Sequence, residues 1–130
     1  MAEILQKSPL PPDDFPNIGV IDGVKFSSVA AGVKYTGRPD VMLAQLSPGS
    51  TIAGVFTTSA TRSAPVLDCQ EKLGQMSHQG AAIIVNSGNA NAFTGKIGIV
   101  AMKAVLNAVS EKLSLSPNRV FSASTGVIGE

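Results

Sequence analysis

In the segment VFSASTGVIGE (120–130), Thr125 offers a hydroxyl and Gly126 an unobstructed backbone N–H side by side, after the apolar pair Val120 and Phe121. Two adjacent donors of this kind can hold an oxyanion, and losing one such donor typically costs about 3 kcal/mol of transition-state stabilisation. Thr-Gly pairs also serve as plain turns, and the spacing predicts a small-residue turn here between two apolar runs. A second polar cluster, VNSGNANAFTGKIG (85–98), has the composition of a phosphate loop without its pattern. Counting back from Gly95-Lys96 puts Ala90 where the first glycine belongs, and Ile97 stands where a magnesium-binding hydroxyl is needed. The simpler expectation is that Asn86, Asn89 and Asn91 hydrogen-bond nearby backbone and order a loop.

Two single residues complete the reactive inventory. His78, the one imidazole, lies in GQMSHQG, a polar stretch bounded by glycines, and no acidic residue at a telling spacing makes a triad with Ser77. It is expected to be a solvated loop histidine. Cys69, the one cysteine, sits at the start of a short helical-looking segment, where a helix N-terminus could lower its pKa, but an inert, buried thiol is the better expectation.

These groups need elements to position them. At 130 residues, 44% hydrophobic and 15% charged, the chain can fill the core of one domain. A net charge of +1, scattered without runs of like sign, points to no nucleic-acid or anionic-membrane partner. One Cys and one His build neither a disulfide framework nor a zinc cluster, so no metal is expected, and the composition suits the cytoplasm. The N-terminus has Glu3, Lys7 and prolines in place of an apolar signal, and the longest clean apolar run is Ala81 to Val85, so neither export nor a membrane span is expected.

Residues 1–17, with Pro9, Pro11, Pro12 and Pro16, are expected to be an extended lead-in, and 18–130 the folded portion. Strands are expected around Val24–Ala30, Val41–Leu46, Thr51–Thr57 and Pro65–Leu67, with Pro48-Gly49 making a hairpin connection. AAIIVNSG reads as a buried strand. From Gly98, apolar positions at Met102, Val105, Leu106, Val109 and Leu113 repeat every three or four residues, a helix of about four turns stopped by SLSP (114–117). Strand character then returns up to the terminal turn.

Taken together, SSVAAGVKYTGRPDVMLAQL, AGVFTTSATRSAPV, AIIVNSGNANAFTG and ASTGVIGE resemble, in order from about Phe15 to Glu130, the N-terminal part of the ornithine acetyltransferases of arginine biosynthesis, also called bifunctional glutamate N-acetyltransferases. The resemblance implies an α+β fold, a layered α/β/β/α sandwich with mixed sheets. It implies a precursor that cuts itself before a threonine into an α chain and a β chain, which stay together as an α2β2 heterotetramer. The new terminal threonine is the family's nucleophile. The implied reaction is ping-pong transfer of acetyl from N-acetylornithine to glutamate without cofactor or metal, and some members also accept acetyl-CoA.

The family's oxyanion hole carries over to Thr125, through its hydroxyl, and Gly126, through its N–H. By the same resemblance the self-cleavage junction, the nucleophile and the substrate-binding residues after it lie beyond these 130 residues, so this stretch supplies half of a site and is expected to be inactive alone. Phe93 stands where many relatives have Cys. Two other readings stay open: a non-catalytic interaction domain that shares the sequence features, and a self-processing amidohydrolase or aminopeptidase of the same architecture, with water as acceptor.

Overall fold

A computed structural model describes residues 10, 14, 16–75 and 77–130, so most of the expected lead-in lies outside the described residues. The elements, in chain order, are β1 (Val24–Val29), β2 (Val41–Leu46), α1 (Ala64–Lys72), β3 (Ala81–Asn89), α2 (Gly95–Leu113), a 3-10 turn (Pro117–Arg119) and β4 (Val120–Val127). The strands form one sheet in the order β1-β2-β3-β4. The β1–β2 and β2–β3 pairings are antiparallel and β3–β4 is parallel, the last requiring a crossover that α2 supplies. The expected mixed α+β character is therefore present. The described residues form one four-stranded mixed sheet with two helices.

Register sorts the side chains between two faces. Ser27, Leu43, Ile84 and Ser122 share one cross-strand row, and Phe26, Ala44, Ile83 and Phe121 the next, on the opposite face. The first face receives α2. Ala82, Met102, Leu106 and Val120 form the buried core, with Leu43, Ile84, Val109 and Leu113 packed around it. Along α2 the buried positions Gly98, Met102, Leu106 and Ser110 recur every fourth residue, the period expected from the sequence. The helix starts three residues earlier than expected, at Gly95, and stops where expected: Ser114 turns left-handed (φ 53), Leu115 N–H donates to Ser110 O, and Ser110 Oγ donates to Leu115 O.

Three local expectations are corrected. Pro65–Leu67 is helix, because Pro65 occupies the first turn, where a missing N–H costs nothing, and Asp68 pairs with Lys72 one turn on at 2.6 Å. Thr51–Thr57 forms no strand; Ile52 and Phe56 instead lie in the wall of a cavity that includes Ile83 and Phe121 on the second face. The Pro48-Gly49 turn is real, closed by Ser50 N–H to Ser47 O at 3.2 Å, but it joins no hairpin, since both edges of β2 are already taken by β1 and β3.

Arg119 was not singled out from the sequence, yet it is 6% exposed. Its Nε donates to Gly80 O (3.2 Å) and its Nη2 to Ser50 O (3.1 Å) and Gln79 O (3.4 Å), which ties the turn after β2 and the entry to β3 to the start of β4. These charge-assisted bonds hold the end of the sheet away from Thr125.

Candidate functional site

The site is built where β3 and β4 end together. The turn expected at Thr125 and Gly126 is corrected: both lie within β4, opposite Ser87 and Gly88 of β3. The reason is that β3 does not stop at the asparagines but continues to Asn89, giving the end of β4 a backbone to pair with. Gly126 (φ 136) and Gly88 (φ 122) face each other in this register. A Cβ on Gly126 would fall inside the backbone of Gly88, so the strands close up only because position 126 is glycine, whereas a Cβ on Gly88 would instead meet Lys34.

The direction of the backbone groups follows from their partners. Val120 O accepts from Lys72 Nζ (2.9 Å) and Ser122 O from Cys69 Sγ (3.3 Å), both on α1, which covers the outer edge of β4. Val127 O accepts from Ala90 N–H (2.9 Å) on the β3 side. Strand alternation then places the backbone groups of Ser124 and Gly126 on the outer edge, with the Gly126 N–H turned away from the ladder. Thr125 and Gly126 are both exposed. The same contacts orient α1 antiparallel to β4, so its first turn points to the Thr125 end of the strand. Its N-cap, Ser63, makes no side-chain cap bond and lines a cavity of about 320 Å³ with Pro65 and Ser124. The partial positive charge of that helix end therefore lies at the same end of the sheet as the two donors.

The asparagines do what their chemistry suggests. Asn86 Nδ2 donates to Asn89 O at 2.9 Å, Asn89 Oδ1 accepts from Asn91 N–H at 2.6 Å, and Asn91 Nδ2 donates to Gly98 O at 3.0 Å. Asn91 itself is left-handed (φ 48). The Thr94 hydroxyl is spent on Asn91 Oδ1 (2.6 Å), and a Cβ on Gly98 would strike both, so side chains fill the space at the start of α2. Beside this loop a cavity of about 540 Å³ separates α2 from the sheet, lined by Ile84, Ile97, Met102 and Val105 with Ser122 and Ser124. Ser122 Oγ is buried without a hydrogen-bond partner.

His78 and Cys69 stand apart from the donor pair. His78 is exposed in the connection before β3, and because β3 and β4 run parallel, that is the opposite end of the sheet from Gly126. Cys69 lies in the body of α1, and burial pushes its thiol above the ordinary range, the reverse of activation by a helix N-terminus. Among the described residues no three His, Cys, Asp or Glu side chains cluster as a metal site would require, and no helix is long and apolar enough to cross a membrane.

Asp40, missed in the sequence, organises the approach to this end of the sheet. It is 4% exposed, and its two carboxylate oxygens accept from Ala31 N–H and Val33 N–H, each at 2.6 Å. The turn so formed sets Lys34 against Gly88 and lets it pair with Glu130. Burial works to raise the Asp40 pKa, but the N–H groups of Ala31, Val33 and Gly32 outweigh it and hold the carboxyl below its ordinary 3.8. A carboxyl depressed in the folded state stabilises fully above its unfolded pKa, and that contribution is lost as pH falls through the lower folded value. Thermal melts should therefore show an acid-side loss of stability that Asp40→Asn flattens. An unchanged acid limb in the variant would show that Asp40 carries none of it.

Comparison with known proteins agrees with this architecture. The ArgJ family model matches residues 25–130. An arginine biosynthesis bifunctional protein ArgJ of Ruegeria pomeroyi is 59% identical over the whole chain, and that of Gluconobacter oxydans 48%. The chain spans 32% and 30% of the length of these two curated relatives. Among solved structures, ornithine acetyltransferase from Mycobacterium tuberculosis complexed with ornithine superimposes with a TM-score of 0.76 at 37% identity, covering 84% of this chain and 58% of the other. ArgJ of Bacillus halodurans gives 0.74 at 32%, covering 84% and 56%. On the family match, the identities and the shared fold, the chain belongs to the ArgJ family.

Proposed function

We propose that this chain is the N-terminal part of a bifunctional ornithine acetyltransferase and glutamate N-acetyltransferase, and that it contributes the oxyanion hole through Thr125 and Gly126. The observation that carries the reading is the placement of this pair: an exposed hydroxyl followed by an N–H on the outer edge of β4, left out of the β3–β4 ladder. Residues 18–130 would form the N-terminal portion of the acetyltransferase domain, preceded by the lead-in over 1–17. The remainder of the protein would supply the nucleophilic threonine on a β chain generated by self-cleavage, in a cytoplasmic α2β2 assembly.

In this mechanism the threonine Oγ attacks the acetyl carbonyl of N-acetylornithine, with its own α-amine taking the proton. The oxygen becomes an oxyanion between Thr125 Oγ1 and Gly126 N–H. Its collapse breaks the C–N bond and releases ornithine carrying that proton, leaving an acetyl ester on the threonine. The glutamate amine attacks the ester through a second oxyanion in the same place and gives up a proton to the α-amine; collapse breaks the ester C–O bond, the threonine Oγ takes that proton, and N-acetylglutamate departs. Both barriers fall because the donors are fixed before charge develops.

Initial rates of the complete, processed protein test this reading. Parallel double-reciprocal lines for N-acetylornithine and glutamate, with ornithine release dependent on glutamate, are expected. Ornithine release at full rate without glutamate would establish the amidohydrolase instead, and no release at all would favour the interaction domain.

A further inference from the structure

We propose that Asn86 is a positioning residue for the Thr125–Gly126 donor pair and acts through the Ser124 hydroxyl. The proposal rests on the oxyanion reading given above. Ser124 immediately precedes Thr125, and its Oγ donates to Asn86 Oδ1 at 2.6 Å. The other end of the same carboxamide, Asn86 Nδ2, donates to Asn89 O at 2.9 Å, where β3 ends. One side chain thus pins β4 to β3 at the rung just before the donors, Asn86 opposite Ser124.

The donors need such a pin. At the rung of the donor amide, Gly88 and Gly126 face each other with φ of 122 and 136, and neither has a side chain to restrict its backbone. The ladder runs on through this rung to Asn89 opposite Val127, and Ala90 N–H donates to Val127 O just beyond it. Besides this backbone pairing, the Thr125–Gly126 peptide is held on its N-terminal side by the Ser124–Asn86 side-chain bond. Asn86 and Ser124 line the cavity on the α2 face, whereas register puts the Thr125 side chain on the opposite face. Their influence on the donors runs through the backbone.

The test uses the complete, processed protein with N-acetylornithine and glutamate. Ser124→Ala and Asn86→Ala should each lower kcat about tenfold with KM within about twofold, the pattern of donors held slightly off target. Ser124→Thr, which keeps the hydroxyl, should retain kcat. The double variant should fall no further than the worse single one, because both remove the same bond. Ser124→Ala deletes a single oxygen, so it decides the matter even if Asn86→Ala fails to fold. Normal kcat in Ser124→Ala with a lowered Tm would overturn the proposal, as would Ser124→Thr being as impaired as Ser124→Ala. Thr125→Val measured alongside separates the two levels: if it is impaired while Ser124→Ala and Asn86→Ala are normal, only the positioning role fails. If Thr125→Val turns over normally, the oxyanion reading fails and the positioning role with it.

Discussion

Thr125→Val in the complete, processed protein is expected to lower kcat by roughly 100- to 1000-fold while leaving KM nearly unchanged. Valine keeps the β-branched shape, which suits a strand position, and deletes only the donor. The donor faces charge that exists chiefly in the transition state, so ground-state binding has little to lose. Stability should be nearly spared, since Thr125 is exposed and none of its side-chain atoms takes part in the network around Asn86. Surface changes of this kind stay within about 0.5 kcal/mol. Thr125→Ser, which keeps a hydroxyl on the same carbon, should recover most of the rate. Steady-state kinetics with thermal melts check the expectation: kcat within about threefold of the parent, given the size of a single-donor effect, would remove Thr125 from the chemistry.

The turn reading of this pair failed for a reason that bears on what a sequence discloses. Gly126 looks like a turn former, and the asparagines after Val85 look like loop formers, when each segment is taken alone. Paired in register they stabilise one another as strand: Gly126 accommodates Gly88, Asn86 receives Ser124, and Ala90 donates to Val127. Local propensity yields to a partner more than thirty residues away. By contrast, α2 was legible because its period is self-contained, with Met102, Leu106 and Val109 on the face that meets Ala82 and Val120. Its stop was legible too, since Ser114 and Pro117 act within their own few residues.

Asp40 and Arg119 mark the limit from the other side. Both are charged residues in short polar contexts, and nothing local distinguishes them from solvated ones. Their burial follows from folding that brings the amides of 31–33 around one carboxylate, and the carbonyls of Ser50, Gln79 and Gly80 around one guanidinium. Buried charges persist where backbone dipoles replace water, and only the folded chain assembles those dipoles. α1 falls between the two cases. Pro65 is compatible with a strand start or a helix start, and the helix wins through the Asp68–Lys72 pair and the carbonyls of β4 that Cys69 and Lys72 reach.

If the close approach of β3 and β4 is what aims the donors, Gly126→Ala should damage the fold and the activity together. The residue sits at φ 136, where an L side chain is strained, and its new Cβ would overlap the backbone of Gly88, which has no flexible end to swing aside. Backbone strain of about 1–3 kcal/mol and overpacking of about 1–3 kcal/mol act at the same point, so a loss of about 2–6 kcal/mol is expected. Against a typical stability of about 5–15 kcal/mol this is a large fraction. Gly74→Ala provides the comparison, because Gly74 also has positive φ (87) but open space where its Cβ would go. It should cost only the conformational part, about 1 kcal/mol. Denaturant melts of the complete protein measure the two costs, and the excess of Gly126→Ala over Gly74→Ala reports the contact with Gly88. Relief of the clash by splaying β4 from β3 would carry the Gly126 N–H out of line, so activity per folded molecule should fall as well. Equal stability losses for the two variants, with Gly126→Ala turning over normally, would show that the Gly88–Gly126 contact neither limits the fold nor aims the donors.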